Sequence, residues 1–87
     1  YIKVISTLAR WGEELYNHEN YTDAQTIFEY SINIGSDVKK VFVLLAEIYY
    51  MERNYDRIES LIMMANQLNS LTKDATLRDL NEIFHRN

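Results

Sequence analysis

The chain reads as an all-α fold of about five helices, paired as antiparallel hairpins. Three observations predict it. Apolar residues recur at intervals of three and four along the whole chain. Proline is absent and glycine occurs only at Gly12 and Gly35, too little turn chemistry for a sandwich or barrel. The pattern of apolar residues and breaks repeats at an offset of 34 residues.

Ile5, Leu8, Gly12 and Leu15 mark the inward stripe of a first helix, with Trp11 beside them. His18-Glu19-Asn20 breaks it. Asn20 is a favourable N-cap, and Asp23 sets a carboxylate at the positive end of the next helix dipole. Tyr21, Ala24, Phe28 and Ser31 make the second stripe, widened by Ile27 and Ile34. Gly35 closes that helix, since glycine accepts the left-handed conformation of the residue after a C-cap. Ser36 or Asp37 caps a third helix carrying Val38, Phe42, Leu45, Ala46 and Tyr49. Arg53-Asn54 breaks it, with Asn54 as the next cap. Tyr55, Ile58, Ile62, Ala65 and Leu68 line a fourth helix, and Leu77, Leu80, Ile83 and Phe84 a fifth, begun by Ser70 to Thr72. The spacing predicts helices near 2–17, 21–34, 37–52, 55–69 and 73–86, each end within about two residues. Breaks this short make neighbouring helices antiparallel.

Composition bounds the function. Eighty-seven residues make one domain, which buries about two-thirds of its unfolded surface. Nine Lys and Arg stand against 13 Asp and Glu, a net charge of −4. The basic residues are scattered, whereas nucleic-acid binding needs them clustered. No apolar run approaches the roughly 18 residues of a spanning helix, so membrane insertion is not expected. Cysteine is absent, which excludes disulfides, thiolate zinc sites and a cysteine nucleophile and points to the cytoplasm. The chain begins at Tyr1 rather than Met and is read as an excerpt of a longer one.

The repeat is the strongest signal. Residues 4–36 align with 38–70, with identical pairs Val4/Val38, Glu13/Glu47, Tyr16/Tyr50, Asn20/Asn54, Tyr21/Tyr55 and Ser36/Ser70. Leu8 matches Phe42, Trp11 matches Leu45, Gly12 matches Ala46 and Leu15 matches Tyr49. Ala24 matches Ile58, Phe28 matches Ile62 and Ser31 matches Ala65. Gly12 and Ala46 let two helix backbones approach closely. A hairpin of this kind cannot bury its apolar face alone, so pairs stack.

The first copy reads Leu8-x2-Trp11-Gly12-x2-Leu15, Tyr21, Ala24-x3-Phe28. The second reads Phe42-x2-Leu45-Ala46-x2-Tyr49, Tyr55, Ile58-x3-Ile62. The last helix repeats the first half as Leu77-x2-Leu80-Asn81-x2-Phe84, one residue later than a strict period. The chain thus resembles the tetratricopeptide repeat family, whose unit is W-x2-L-G-x2-Y, then A-x3-F, then P. The family's closing proline is replaced by Ser36 and Ser70, and Ile58 and Asn81 stand where it prefers small residues. The resemblance implies a right-handed superhelix, an α-solenoid. Repeat one covers about 4–37, repeat two about 38–71, and a capping or partial-repeat helix about 73–86, within one domain of residues 1–87.

Rival chemistries are thinner. Glu82-x2-His85 has the spacing of a di-iron bundle motif, but such a site needs a second copy and two further inward glutamates, and no second Glu-x2-His occurs. No nucleophile elbow or Ser-x2-Lys motif occurs. His18 has no catalytic partner pattern around it. Asn20-Tyr21-Thr22 matches a glycosylation acceptor, yet Asn54-Tyr55 repeats the capping role without the threonine. Met51, Met63 and Met64 read as core filling before they read as an adaptable surface. No enzyme, metal site or cofactor is expected.

The resemblance places the binding surface on the first helix of each pair, lining a concave face that takes extended or helical peptides. The stripe beside the packed one is Ser6, Ala9, Glu13, Tyr16 and Asn17; then Lys40, Val43, Glu47, Tyr50 and Met51; then Ala75, Arg78, Glu82, His85 and Arg86. Two columns follow, Glu13–Glu47–Glu82 and Tyr16–Tyr50–His85. One reading is a groove for a basic, amphipathic or hydroxyl-rich segment, with tyrosines as anchors. The other is a solvated face in which Arg10, Lys40 and Arg78 neutralise the glutamates. The family's clamp for acidic chaperone tails uses Lys and Asn where this chain has Ala9 and Glu13, Val43 and Glu47, so that ligand is not expected. Self-association, through this face or through exposed Tyr30, Met63 and Met64, is the alternative, as is an assembly role within a larger protein.

Overall fold

A computed structural model describes residues 2–86, with the backbone alone for Ile2. Tyr1 and Asn87, the ends of the expected domain 1–87, lie outside the described residues. The chain is all-helical there: α1 Ile2–Asn17, α2 Tyr21–Asn33, α3 Lys39–Met51, α4 Tyr55–Asn66 and α5 Lys73–Phe84. Each helix packs on the next, and α3 also packs on α1 and α5. The odd helices thus form one layer and α2 and α4 the other, a helical repeat arrangement. Its short dimension is 16 Å, which suits two layers of helices roughly 10 Å apart. α3 touches all four other helices, and Val41, Phe42, Leu45, Ala46, Ile48 and Tyr49 on it are buried.

The repeat extends to the backbone. After α1, the Glu19 N–H bonds to the Tyr16 carbonyl and the Asn20 N–H to the Leu15 carbonyl. After α3, Arg53 and Asn54 bond to Tyr50 and Tyr49 in the same way. Both are Schellman closures. Glu19 and Arg53 hold the left-handed position, φ 62° and 58°, so that conformation is reached without the glycine found at Gly35, φ 104°. Ser36 Oγ accepts the Val38 N–H and Ser70 Oγ accepts the Thr72 N–H, both at 3.2 Å. These equivalent serines turn the chain where the expected pattern would set proline.

Several details depart from the sequence reading. Asn20 and Asn54 are the N-caps of α2 and α4, but neither side chain caps a backbone N–H; Asn20 donates instead to Asp23. Val38, not Ser36 or Asp37, caps α3, because Ser36 is spent on the turn. α4 stops at Asn66 rather than 69, where Gln67 and Leu68 tighten onto the carbonyls three residues back.

Two departures are larger. Trp11 is 54% exposed, whereas its repeat equivalent Leu45 is 1% exposed. α2 precedes and covers α3, but no described helix precedes α1. In α5 the buried stripe is Thr76, Leu80 and Ile83, each 34 residues after Phe42, Ala46 and Tyr49. The strict period therefore holds, without the one-residue shift. Thr76 can be buried because its hydroxyl donates to the Thr72 carbonyl at 2.8 Å, whereas in sequence it reads as polar beside Leu77.

Candidate functional site

The expected face belongs to the layer of odd helices. The strict register sets Glu13, Glu47 and Asn81 in one column and Tyr16, Tyr50 and Phe84 in the other. Asn81 turns its amide back to the Leu77 carbonyl, 2.9 Å. Phe84 is half-buried against the core, so the second column is aromatic throughout. Glu82 and His85 stand one step round the helix and are exposed, His85 edge-on to Phe84.

The two copies build the same aromatic pair. Tyr16 meets Tyr21 edge-to-face at 5.2 Å, and Tyr50 meets Tyr55 at 6.0 Å. Edge-to-face contact sets the positive ring edge against the negative ring face. Beside each pair stands a glutamate with a cation on it. Lys40 Nζ donates to Glu13 Oε1 at 3.0 Å. Arg86 grips Glu47 with both terminal nitrogens, 2.9 and 3.2 Å, and lies 5.3 Å over the Tyr50 ring. The Tyr50 hydroxyl donates to the Arg86 carbonyl at 3.4 Å, and Glu82 reaches Arg86 at 3.9 Å. Burial first, then the negative charge of Glu47, raises the Tyr16 phenol above its ordinary range, while Arg86 draws it down. Tyr50, Tyr55, Phe84 and Arg86 line an open recess of about 440 Å³.

The other expected residues scatter. Arg78 pairs with its neighbour Asp79 at 3.5 Å rather than with a glutamate. Asp79 also takes Lys39 at 3.0 Å, joining α3 to α5, and that hydrogen bond holds its carboxyl below the usual range. Val43 packs against the core. Asn17 and Met51 are exposed. Phe84 on α5 completes the face, and Tyr21 and Tyr55, the first residues of α2 and α4, meet it edge-on through Tyr16 and Tyr50; none of the three is among the expected site residues. The signal for the tyrosines was present, since Tyr21/Tyr55 is a repeat identity. Among the described residues no three His, Asp or Glu side chains gather as a metal would require, and no helix is long and apolar enough to cross a membrane.

A second polar cluster bridges the other layer. The buried Tyr49 hydroxyl donates to Glu29, which also accepts from Arg57 on α4 at 3.3 Å. Burial, then this carboxylate, hold the Tyr49 phenol well above its ordinary value near 10. A folded state that keeps its proton longer is stabilised below the unfolded value and loses that contribution as pH rises past it. Stability should therefore fall from about pH 10 upward, and Tyr49→Phe should flatten that limb. Urea midpoints of both proteins at about pH 8 and pH 11 check this; parallel losses would contradict it.

The chain matches no protein-family model, no curated protein and no solved structure.

Proposed function

We propose that the chain is a protein-interaction module of the tetratricopeptide type, which takes a peptide or helical segment on the face of α1, α3 and α5. The observation that carries this reading is the duplicated set Glu13, Tyr16, Tyr21 and Glu47, Tyr50, Tyr55. Core packing needs no repeated glutamate, and rigid tyrosines are enriched at recognition surfaces. The module acts by binding rather than catalysis and needs no cofactor. A cytoplasmic setting belongs to the same reading and rests on a chain without cysteine.

Peptides selected from a random library on the immobilised domain test it. Glu47→Lys should weaken them tenfold or more, while costing about 1 kcal/mol of stability, the worth of a partly exposed ion pair. Unchanged affinity, or no selectable peptide, would overturn the reading.

Association of copies is the second reading, favoured by the apolar outer side of α1. Val4 and Trp11 are about half exposed there and line a recess with Leu8. A molar mass that rises with concentration, together with a blue-shifted Trp11 emission, would favour it.

A further inference from the structure

We propose that Glu47, Tyr50, Tyr55 and Phe84 form a seat for an arginine side chain of the bound partner, and that Arg86 is an internal occupant that must leave first. The inference rests on the interaction-module reading and names its ligand chemistry and its regulation.

The seat has the parts a guanidinium requires. A planar fork is matched by two carboxylate oxygens, and Glu47 presents both, at 2.9 and 3.2 Å. A delocalised cation is held over a ring face, and Tyr50 supplies one at 5.3 Å. Tyr55 and Phe84 wall the recess on which Arg86 lies. An ammonium would fill one point of this arrangement but not the fork. The contrast with the first copy is informative, since Lys40 meets Glu13 through a single bond, 3.0 Å.

The occupant is exchangeable. Arg86 lies beyond the end of α5 at Phe84; its backbone N–H is tied to the Ile83 carbonyl at 3.2 Å, but the side chain can swing off Glu47 without breaking that bond. The side chains of Arg86 and Glu47 are 39% and 27% exposed, so an incoming guanidinium has access to both. Glu82, 77% exposed, draws cations towards the seat. Charge agrees: 13 acidic against 9 basic residues leaves the chain attractive to a basic peptide. An internal ligand present about nine-tenths of the time weakens an external one about tenfold.

The probe is Nα-acetyl-arginine amide, titrated into the wild type and Arg86→Ala while the tyrosine ring signals are followed by NMR. Arg86→Gln serves if the alanine variant is not helical by circular dichroism. Either variant should bind the probe about tenfold more tightly than wild type, with saturable shifts of the Tyr50 and Tyr55 rings. Adding Glu47→Gln should abolish those shifts, and the citrulline analogue, isosteric but uncharged, should not produce them. No gain on losing Arg86, equal binding of citrulline, or indifference to Glu47→Gln overturns the seat. Library peptides that bind the face without arginine would leave the module reading standing and remove this one. Probe binding at the seat with no selectable peptide would remove the module reading.

Discussion

Phe42→Ala is expected to cost about 3–5 kcal/mol, the range for deleting a fully buried aromatic ring. Phe42 is 1% exposed, on the helix that touches all four others. A small domain has little more than that to lose, so the variant should be largely unfolded near 37 °C. Leu8 holds the same repeat position on α1 but is only half-buried. Leu8→Ala should cost about 1 kcal/mol, because much of its area already faces water. Urea titrations followed by far-ultraviolet circular dichroism measure both losses. Equal costs at the two positions would contradict the central place of α3.

Gly12→Ala should destabilise by about 1–3 kcal/mol, against the usual sign of that change. In an exposed helix interior alanine is favoured over glycine by about 1 kcal/mol. Here an added Cβ would lie 2.7 Å from Phe28 Cδ1 and 3.1 Å from Cζ. The Phe28 ring is 1% exposed, so to make room it would have to shift within the core, a cost that outweighs propensity. Phe28→Leu in the same chain should recover part of the loss, a coupling of about 0.5–3 kcal/mol between touching residues. The second repeat already carries such a pair in Ala46 and Ile62. A stabilising Gly12→Ala would mean that α1 and α2 do not approach at this point.

The candidate face was legible in part. Glu13, Tyr16, Glu47 and Tyr50 share one side because residues three apart on a helix are neighbours. Their 34-residue recurrence set them in columns. The third members were misplaced by one step, to Glu82 and His85, because Leu77 reads as apolar and Thr76 as polar. Only a hydroxyl bonded to Thr72 makes Thr76 a core residue. The cations were also assigned differently. Lys40 does meet Glu13, as the solvated-face reading has it, but Arg78 goes to Asp79 and Arg86 to Glu47. Which long side chain reaches which carboxylate depends on distances between helices, and periodicity within one helix carries none of them.

Helix number, the hairpin pairing and the close approach at Gly12 are local matters of spacing and residue size, and the sequence alone determined them; the end of α4 at Asn66 and the cap of α3 at Val38 it did not. Tertiary structure decided whether the same repeat position is core or surface. Leu45 is covered by the helix before it and Trp11 is not, although the two residues occupy equivalent sites. It also decided that Arg86, remote from Glu47 in sequence, closes the recess beside Tyr50. Burial and ion pairing are properties of what lies across a gap, and the neighbours across that gap exist only once the helices have stacked.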